Sequence, residues 1–346
     1  MSSPPDSRPT LKSLAEITGL GISTVSQALR GSPVIAEETR RRVQLAAQQA
    51  GYRPNRAGVR LRTGKSNVIT VVLNPQDGGS GFFANIIYGI SDALAGTSYH
   101  LVVTPYSLSD PMAPIRYIVE TSSADGVIIS RTQPDDPRVR YMIKNEMPFV
   151  THGRTEMGAE HCYYDFDNEA YGMEAARLLH GRGRKALTLV QPPPTLTYFL
   201  HTQRGFQSGL EQFQMTHVPM ASVSTDSRPD ELRAAARELA KRDLPPDGIV
   251  CSSVVAAPAI AAGMLDAGLV LARDYDMVVK PATPQLTMTL PKLLSIDEDF
   301  HQAGRNLAEM LMARIDGQPC CDLQRIERPV VAPETLAMMN GATRAA

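Results

Sequence analysis

Apolar residues at 11, 14, 15 and 17 recur at helical spacing behind Thr10, which predicts a short helix whose first turn Thr10 caps. Gly19 supplies the backbone freedom for a tight turn. Val25, Ala28 and Leu29 then give a second short helix its buried side, leaving Ile22, Ser23, Ser26 and Gln27 on the other. Two short helices about such a turn are what a helix-turn-helix requires, with the second helix presented to a major groove. A third helix is predicted over 36–50, with Glu37 and Glu38 in its first turn and Val43, Ala46 and Ala47 on one face. From residue 67 the pattern changes. Apolar β-rich runs at 68–73, 100–104, 126–130, 148–151, 186–191 and 248–252 alternate with helical stretches at 84–95, 111–122, 138–145, 169–180, 203–214, 231–241 and 256–267. Repeated βα units of this kind imply parallel, doubly wound sheets covered by helices. Two sets, with a crossover near 165–168 and a return near 290–295, predict two lobes around a cleft.

Charge adds an asymmetry that the net value of −1 conceals. Residues 1–65 hold 11 basic against 4 acidic side chains, and the remainder 24 against 32. A +7 head on a −8 body suits phosphate neutralisation at one end only. No apolar run approaches a membrane span and no charged-then-apolar export signal opens the chain, so a cytoplasmic protein is expected. Cys162, Cys251, Cys320 and Cys321 lack metal-ligand spacing, and the neighbouring pair reads as incidental thiols. Neither a metal nor a cofactor is expected. Residues 1–9 and 332–346 read as loose tails.

The segment from Thr10 through Leu14-Ala15, Gly19 and Thr24-Val25-Ser26 to Leu29, followed by Tyr52-Arg53-Pro54-Asn55-Arg56, resembles the LacI family of transcriptional regulators. The resemblance continues to about residue 330. It implies a helix-turn-helix DNA-binding domain at 1–53, a hinge helix and linker at 54–65, a bilobal ligand-binding and dimerisation core at 66–331, and a tail at 332–346. The fold class expected is thus an all-α headpiece plus an α/β core of two parallel-sheet lobes like those of periplasmic binding proteins. One lobe would take 66–163 and 294–330, the other 164–291. Ile22, Ser23 and Gln27 would lie nearest the base edges, where Gln pairs with adenine and Ile packs on methyl groups. Thr10, Thr24, Asn55 and Arg56 would contact phosphates. The family often carries Ser where this chain has Gly21 and Arg where it has Gln27. Leu61 matches the leucine that wedges the minor groove open at the centre of the site. A homodimer on a pseudopalindromic operator follows, acting as a repressor under a small-molecule effector.

Open α/β sheets bind ligands at the carboxyl ends of their strands. Those ends nominate Phe82 and Phe83 for stacking, Arg131 and Arg154 for paired hydrogen bonds, and Ser253 and Lys280 from the second lobe. Three positions depart from the family pattern. Thr202 replaces a frequent arginine, Ser252-Ser253-Val254 an Ala-Asn-Asp run, and the stretch from Lys280 to Thr283 a late aspartate. A sugar remains the expected effector, with a glucoside or oligosaccharide as its form. An enzyme or a transport binding protein would leave the basic head unexplained. No G-x-S-x-G, H-E-x-x-H, Walker or G-x-G-x-x-G arrangement supports catalysis. Asp165 and Asp167 read as hinge or capping residues.

Overall fold

The computed structural model describes residues 9–52, 64–74, 82–106, 109–220, 223–280 and 283–343, with Phe82 and residues 341–343 traced as backbone. Asn55, Arg56, Leu61 and Ala282 lie outside them. The chain divides into two units, Met1–Asn67 and Val68–Ala346.

In the first unit, α1 (Leu11–Thr18), α2 (Ile22–Leu29) and α3 (Glu37–Gln49) enclose a small core. Thr10 and Ser13 form a reciprocal capping box: the Ser13 amide donates to Thr10 Oγ1 at 3.2 Å and the Thr10 amide to Ser13 Oγ at 2.7 Å. Gly19, at φ 66°, closes α1 in the left-handed conformation that lets α2 turn back. Leu14, Val25, Ala28 and Val43 are fully buried. Ile17 is not among them; it is 62 % exposed, and Thr18 takes the inward place. Positions 11, 14, 15 and 18 form one helical face and 17 falls outside it. The Thr18 hydroxyl satisfies itself on the Leu14 carbonyl at 2.7 Å. Arg42 donates to the Thr18 carbonyl and Arg40 to that of Ser32 at 3.1 Å, so two arginines of the 40–42 run bind this unit's own turns.

The second unit contains two six-stranded sheets. The first is ordered β2-β1-β3-β4-β5-β11 and is wholly parallel, from β1 (Val68–Leu73), β2 (His100–Pro105), β3 (Gly126–Ile129), β4 (Phe149–His152), β5 (Tyr163–Phe166) and β11 (Gln324–Glu327). The second is ordered β7-β6-β8-β9-β10-β12, from β6 (Ala186–Val190), β7 (Thr216–His217), β8 (Gly248–Cys251), β9 (Asp276–Val279), β10 (Leu294–Asp297) and β12 (Val330–Val331). Only β12 runs antiparallel, against β10. In each sheet the winding reverses once, between β1 and β3 and between β6 and β8. That is where open α/β sheets leave a crevice.

The lobe boundaries differ from those expected. Leu294 and Ile296 are buried with the second lobe, and β10 pairs with β9, so the return crossover falls after Asp297. The helix that follows, α12 (Phe300–Ile315), buries Ala303, Leu307 and Leu311 in the first lobe. The expected C-terminal tail is instead a helix, α13 (Pro333–Thr343). Thr335 is fully buried and accepts from the Ser295 amide at 2.7 Å, while Met338 and Met339 pack on the second-lobe core.

Each lobe also brings two helices into backbone contact through glycines. In the second lobe, α7 (Asn168–Gly181) crosses α8 (Thr197–Gln212), and a Cβ at Gly205 would collide with the Glu169 carbonyl. In the first, α4 (Phe82–Leu94) meets α12 where Gly89 faces the His301 carbonyl and Gly304 that of Ile86. Gly205→Ala is expected to destabilise the second lobe by about 1–3 kcal/mol through overpacking. Urea unfolding measures it, and an unchanged midpoint would show that the helices can separate freely.

Candidate functional site

Two surfaces carry chemistry. In the first unit, α2 begins at Gly21, an extended N-cap with no side-chain cap of its own, so its first amides face outward. Ile22 is 49 % exposed, Ser23 is exposed, and Thr24, Ser26 and Gln27 are half-buried, while Val25 and Ala28 point inward. The amphipathic split therefore presents the nominated residues along one side of the second helix. Thr10 stands apart from them, its hydroxyl engaged at the start of α1.

The second surface is a cleft of about 820 Å³ between the lobes of the core unit, at the carboxyl ends of both sheets. Arg131, Arg154, Ser253 and Lys280 line it, as the strand-end reading expected of their position. Phe83 does not; it packs half-buried on the first-lobe core, because α4 turns that side chain toward the sheet. The Phe82 side chain lies outside the described residues. Thr202 does not line the cleft either. It is fully buried inside α8 with its hydroxyl donating to the Tyr198 carbonyl at 2.7 Å. The helix containing it starts at Thr197 rather than near 203, which turns position 202 into the lobe.

Arg131 follows β3 in the left-handed conformation (φ 55°), and its guanidinium spans the cleft to Asp226 of the other lobe. Its turn is held rigidly: Arg138 donates to the carbonyls of Ser130 (3.1 Å) and Arg131 (2.9 Å) and is itself paired with buried Asp136 at 2.7 Å. Beside it, the Thr197 amide and hydroxyl both reach across to the Thr132 carbonyl, at 2.9 and 3.1 Å. His201 Nε2 meets Glu156 across the same edge at 2.6 Å. Burial pulls the His201 pKa down, and its hydrogen bond holds the Glu156 carboxyl below the usual range.

At the floor, Arg154 Nε approaches Asp165 at 3.3 Å. Burial pushes the Asp165 carboxyl up to about 7, even with Arg154 and Lys280 opposing it. Lys280 Nζ bonds Asn168 Oδ1 at 2.7 Å and Glu298 Oε2 at 2.9 Å and lies 4.1 Å over the Phe166 ring. His152 sits on the other side of Glu298, at 3.8 Å, with its pKa lowered by burial. Glu327 connects the chain crossings: its carbonyl accepts from the Asp167 amide at 2.8 Å and its carboxylate from the Asp299 amide at 3.1 Å and the Tyr164 hydroxyl at 2.9 Å.

Several of these groups escaped the sequence reading. Asp226 sits in a loop without periodicity, and His201 is one turn into a helix whose start was placed too late. Asp167 does cap α7, accepting from the Ala170 amide at 2.9 Å, but Asp165, two residues earlier, faces the cleft. Ser253 lines the cleft while its hydroxyl accepts from the amides of Val255 and Ala256, at 3.3 and 3.2 Å, ahead of α10 (Ala256–Asp266). Glu298 was visible only as one of three consecutive acids.

Among the described residues the lining carries Arg131, Arg154, Arg228 and Lys280 against Asp165, Asp226, Asp297, Glu298 and Asp299. Donors and acceptors are thus interleaved, and no cationic cradle of the kind that holds a phosphate is left uncompensated. No group of His, Cys, Asp or Glu among the described residues could hold a metal ion. No described helix is long and apolar enough to cross a membrane.

Comparison with known proteins agrees with this two-part organisation. Residues 10–55 match the family model for bacterial regulatory proteins of the lacI family. Residues 66–331 match that for periplasmic binding proteins and the sugar binding domain of the LacI family. The HTH-type transcriptional regulator AglR of Rhizobium meliloti is 32 % identical over 317 residues, covering 89 % of this chain and 88 % of the relative. RafR of Escherichia coli is 29 % identical, covering 94 % of this chain and 97 % of its own length. Among solved structures, the lac repressor dimer bound to operator and the anti-inducer ONPF aligns with a TM-score of 0.81 at 17 % identity, over 95 % of this chain and 99 % of that one. A CelR–cellobiose complex aligns with a TM-score of 0.69 at 23 % identity, over 94 % and 98 %. With a helix-turn-helix DNA-binding domain joined to a sugar-binding domain of the periplasmic-binding-protein type, the chain belongs to the LacI family of bacterial transcriptional regulators and is not an enzyme.

Proposed function

We propose that the protein is a homodimeric cytoplasmic repressor that reads a pseudopalindromic operator and is released by a neutral sugar of about disaccharide size. The observation that carries this reading is the cleft. Its volume of about 820 Å³ falls within the range of roughly 300–1,000 Å³ usual for small-molecule sites. Its alternating carboxylates and guanidinium groups suit hydroxyls, which both donate and accept, better than a phosphate. The cellobiose held by the CelR relative is a ligand of that class.

A dimer is favoured by the edge of the first sheet. Val102 and Val103 on edge strand β2, and Tyr88 on the neighbouring α4, are exposed by 41–63 %, a strip that a second copy would cover. One head reads one half-site, with Gly21, Ile22, Ser23, Ser26 and Gln27 toward the bases and Thr10, Thr24, Asn55 and Arg56 toward phosphates. Leu61 serves as the minor-groove wedge. The ligand acts by binding one lobe arrangement better than another, and the interlobe contacts Arg131–Asp226 and Thr197–Thr132 are the ones it must accommodate.

A thermal-shift panel of neutral disaccharides, oligosaccharides and phosphosugars tests this, followed by operator titration with any ligand found. A neutral sugar at about 100 times its Kd is expected to add roughly 2.7 kcal/mol of stability and to weaken operator binding. A phosphosugar as the sole hit would overturn the assignment of ligand class. Operator affinity indifferent to a bound sugar would overturn the coupling.

A further inference from the structure

Cys162 is fully buried just before β5, and Cys320 is half-buried in the short turn (Cys320–Asp322) leading to β11. These strands are neighbours in the first sheet, and the Tyr163 amide donates to the Leu323 carbonyl at 3.1 Å. That pairing brings the two sulfurs to 2.8 Å, 158 residues apart in sequence. Both thiols are free, and the separation is inside ordinary sulfur–sulfur contact, so only a small closing movement separates the pair from a bond of about 2.0 Å. We propose that Cys162 and Cys320 are a reversible disulfide pair, oxidised by exchange with a low-molecular-weight disulfide that reaches the protein at Cys320.

The exchange proceeds in two displacements. The Cys320 thiol loses its proton, and the thiolate attacks one sulfur of the small disulfide. A mixed disulfide forms, and one small thiolate leaves and takes up a proton. Cys162 then loses its proton and attacks the Cys320 sulfur, breaking the mixed disulfide and expelling the second small thiol. Two protein thiols are oxidised and one small disulfide is reduced to two thiols. Burial pushes the Cys162 thiol up, so it suits the second, intramolecular step in which proximity offsets weak ionisation. Cys321 is a poor alternative partner. Its sulfur faces Asp322 Oδ1 at 3.7 Å, and adjacent cysteines bridge only through a strained eight-membered ring. The closed loop would enclose nearly all of the second lobe and tie together the strands that lead into two chain crossings.

The test incubates the purified full-length protein with oxidised glutathione and then counts thiols and maps peptides by mass spectrometry. The expected result is loss of two of the four thiols, a peptide joining Cys162 to Cys320, and a Tm raised by roughly 10 °C, all reversed by dithiothreitol. Cys321→Ala should still yield the Cys162–Cys320 peptide, and Cys320→Ala should yield no internally joined peptide, exposed Cys321 forming at most a mixed disulfide with glutathione. Persistence of all four wild-type thiols, or a product joined through Cys321, would overturn the proposal.

Discussion

Replacing Asp165 by asparagine is expected to remove a large part of the pH dependence of the core's stability. The carboxyl is ionised only near pH 7 in the folded protein, with burial as the main cause, whereas the unfolded chain ionises it at the ordinary value of 3.8. The folded state therefore holds this proton more tightly, and the group's contribution to stability falls as pH rises from about 4 to about 7, then levels off. The gap corresponds to on the order of 4 kcal/mol. Near pH 4 the wild type and Asp165→Asn should be close in stability; at pH 8 the variant should be the more stable. Thermal unfolding from pH 4.5 to 8 reads the difference directly, and parallel curves would show that Arg154 already compensates the charge. The same ionisation has a functional side. A ligand hydroxyl donating to Asp165 stabilises its charged form, so sugar-induced stabilisation should grow between pH 6 and 8.

Glu298→Ala, in contrast, should be strongly destabilising. Lys280 and Glu298 are both buried, 2.9 Å apart; the ammonium's other direct contacts are the Asn168 amide oxygen and the Phe166 and Tyr171 rings, with the Asp165 carboxyl near enough to interact with its charge. Removing one partner of a buried pair leaves an uncompensated charge, which costs about 3–5 kcal/mol. Glu298→Gln retains an acceptor and should cost less. A Lys280→Met/Glu298→Leu double variant should recover most of the loss, since it is the stranded charge that destabilises. Chemical denaturation of the wild type, Lys280→Met, Glu298→Leu and the double variant forms the cycle. A loss below about 1 kcal/mol in Glu298→Ala would mean that Asn168 and the Phe166 ring suffice for Lys280. Because the pair joins β9 to the crossing after β10, the single variants should also alter how the lobes respond to ligand.

Legibility differed sharply between elements and site. The helix-turn-helix was readable because Leu14, Val25, Ala28 and Val43 repeat at helical spacing around Gly19. Ile17 misled because hydrophobicity alone does not say which face a residue occupies, and Thr18 could be buried by bonding its own helix. The βα alternation was readable because wholly buried strands are continuous apolar runs, as at Gly126–Ile129 and Gly248–Cys251. Strand ends then pointed to Arg131, Arg154 and Lys280 at the cleft. They pointed equally to Phe83, whose inward turn depends on how α4 packs. α13 was missed because its anchors, though at helical spacing, are one threonine and two methionines, and the Thr335 hydroxyl is buried only by accepting from the distant Ser295 amide.

By itself, the sequence determined the family, the order of elements and the division into a basic head and an acidic bilobal core. Those follow from short-range periodicity and a local motif, which act between residues a few positions apart. Only the tertiary structure decided the partners of the charged groups in the cleft and of the buried Cys162 thiol. Arg131 meets Asp226 from 95 positions away, Lys280 meets Asn168 from 112, and Cys162 meets Cys320 from 158. Such encounters depend on sheet order and on where the chain crosses between lobes. The chemistry of each group, from the proton on Asp165 to the charge on Lys280, is set by burial and by neighbours that no local pattern encodes.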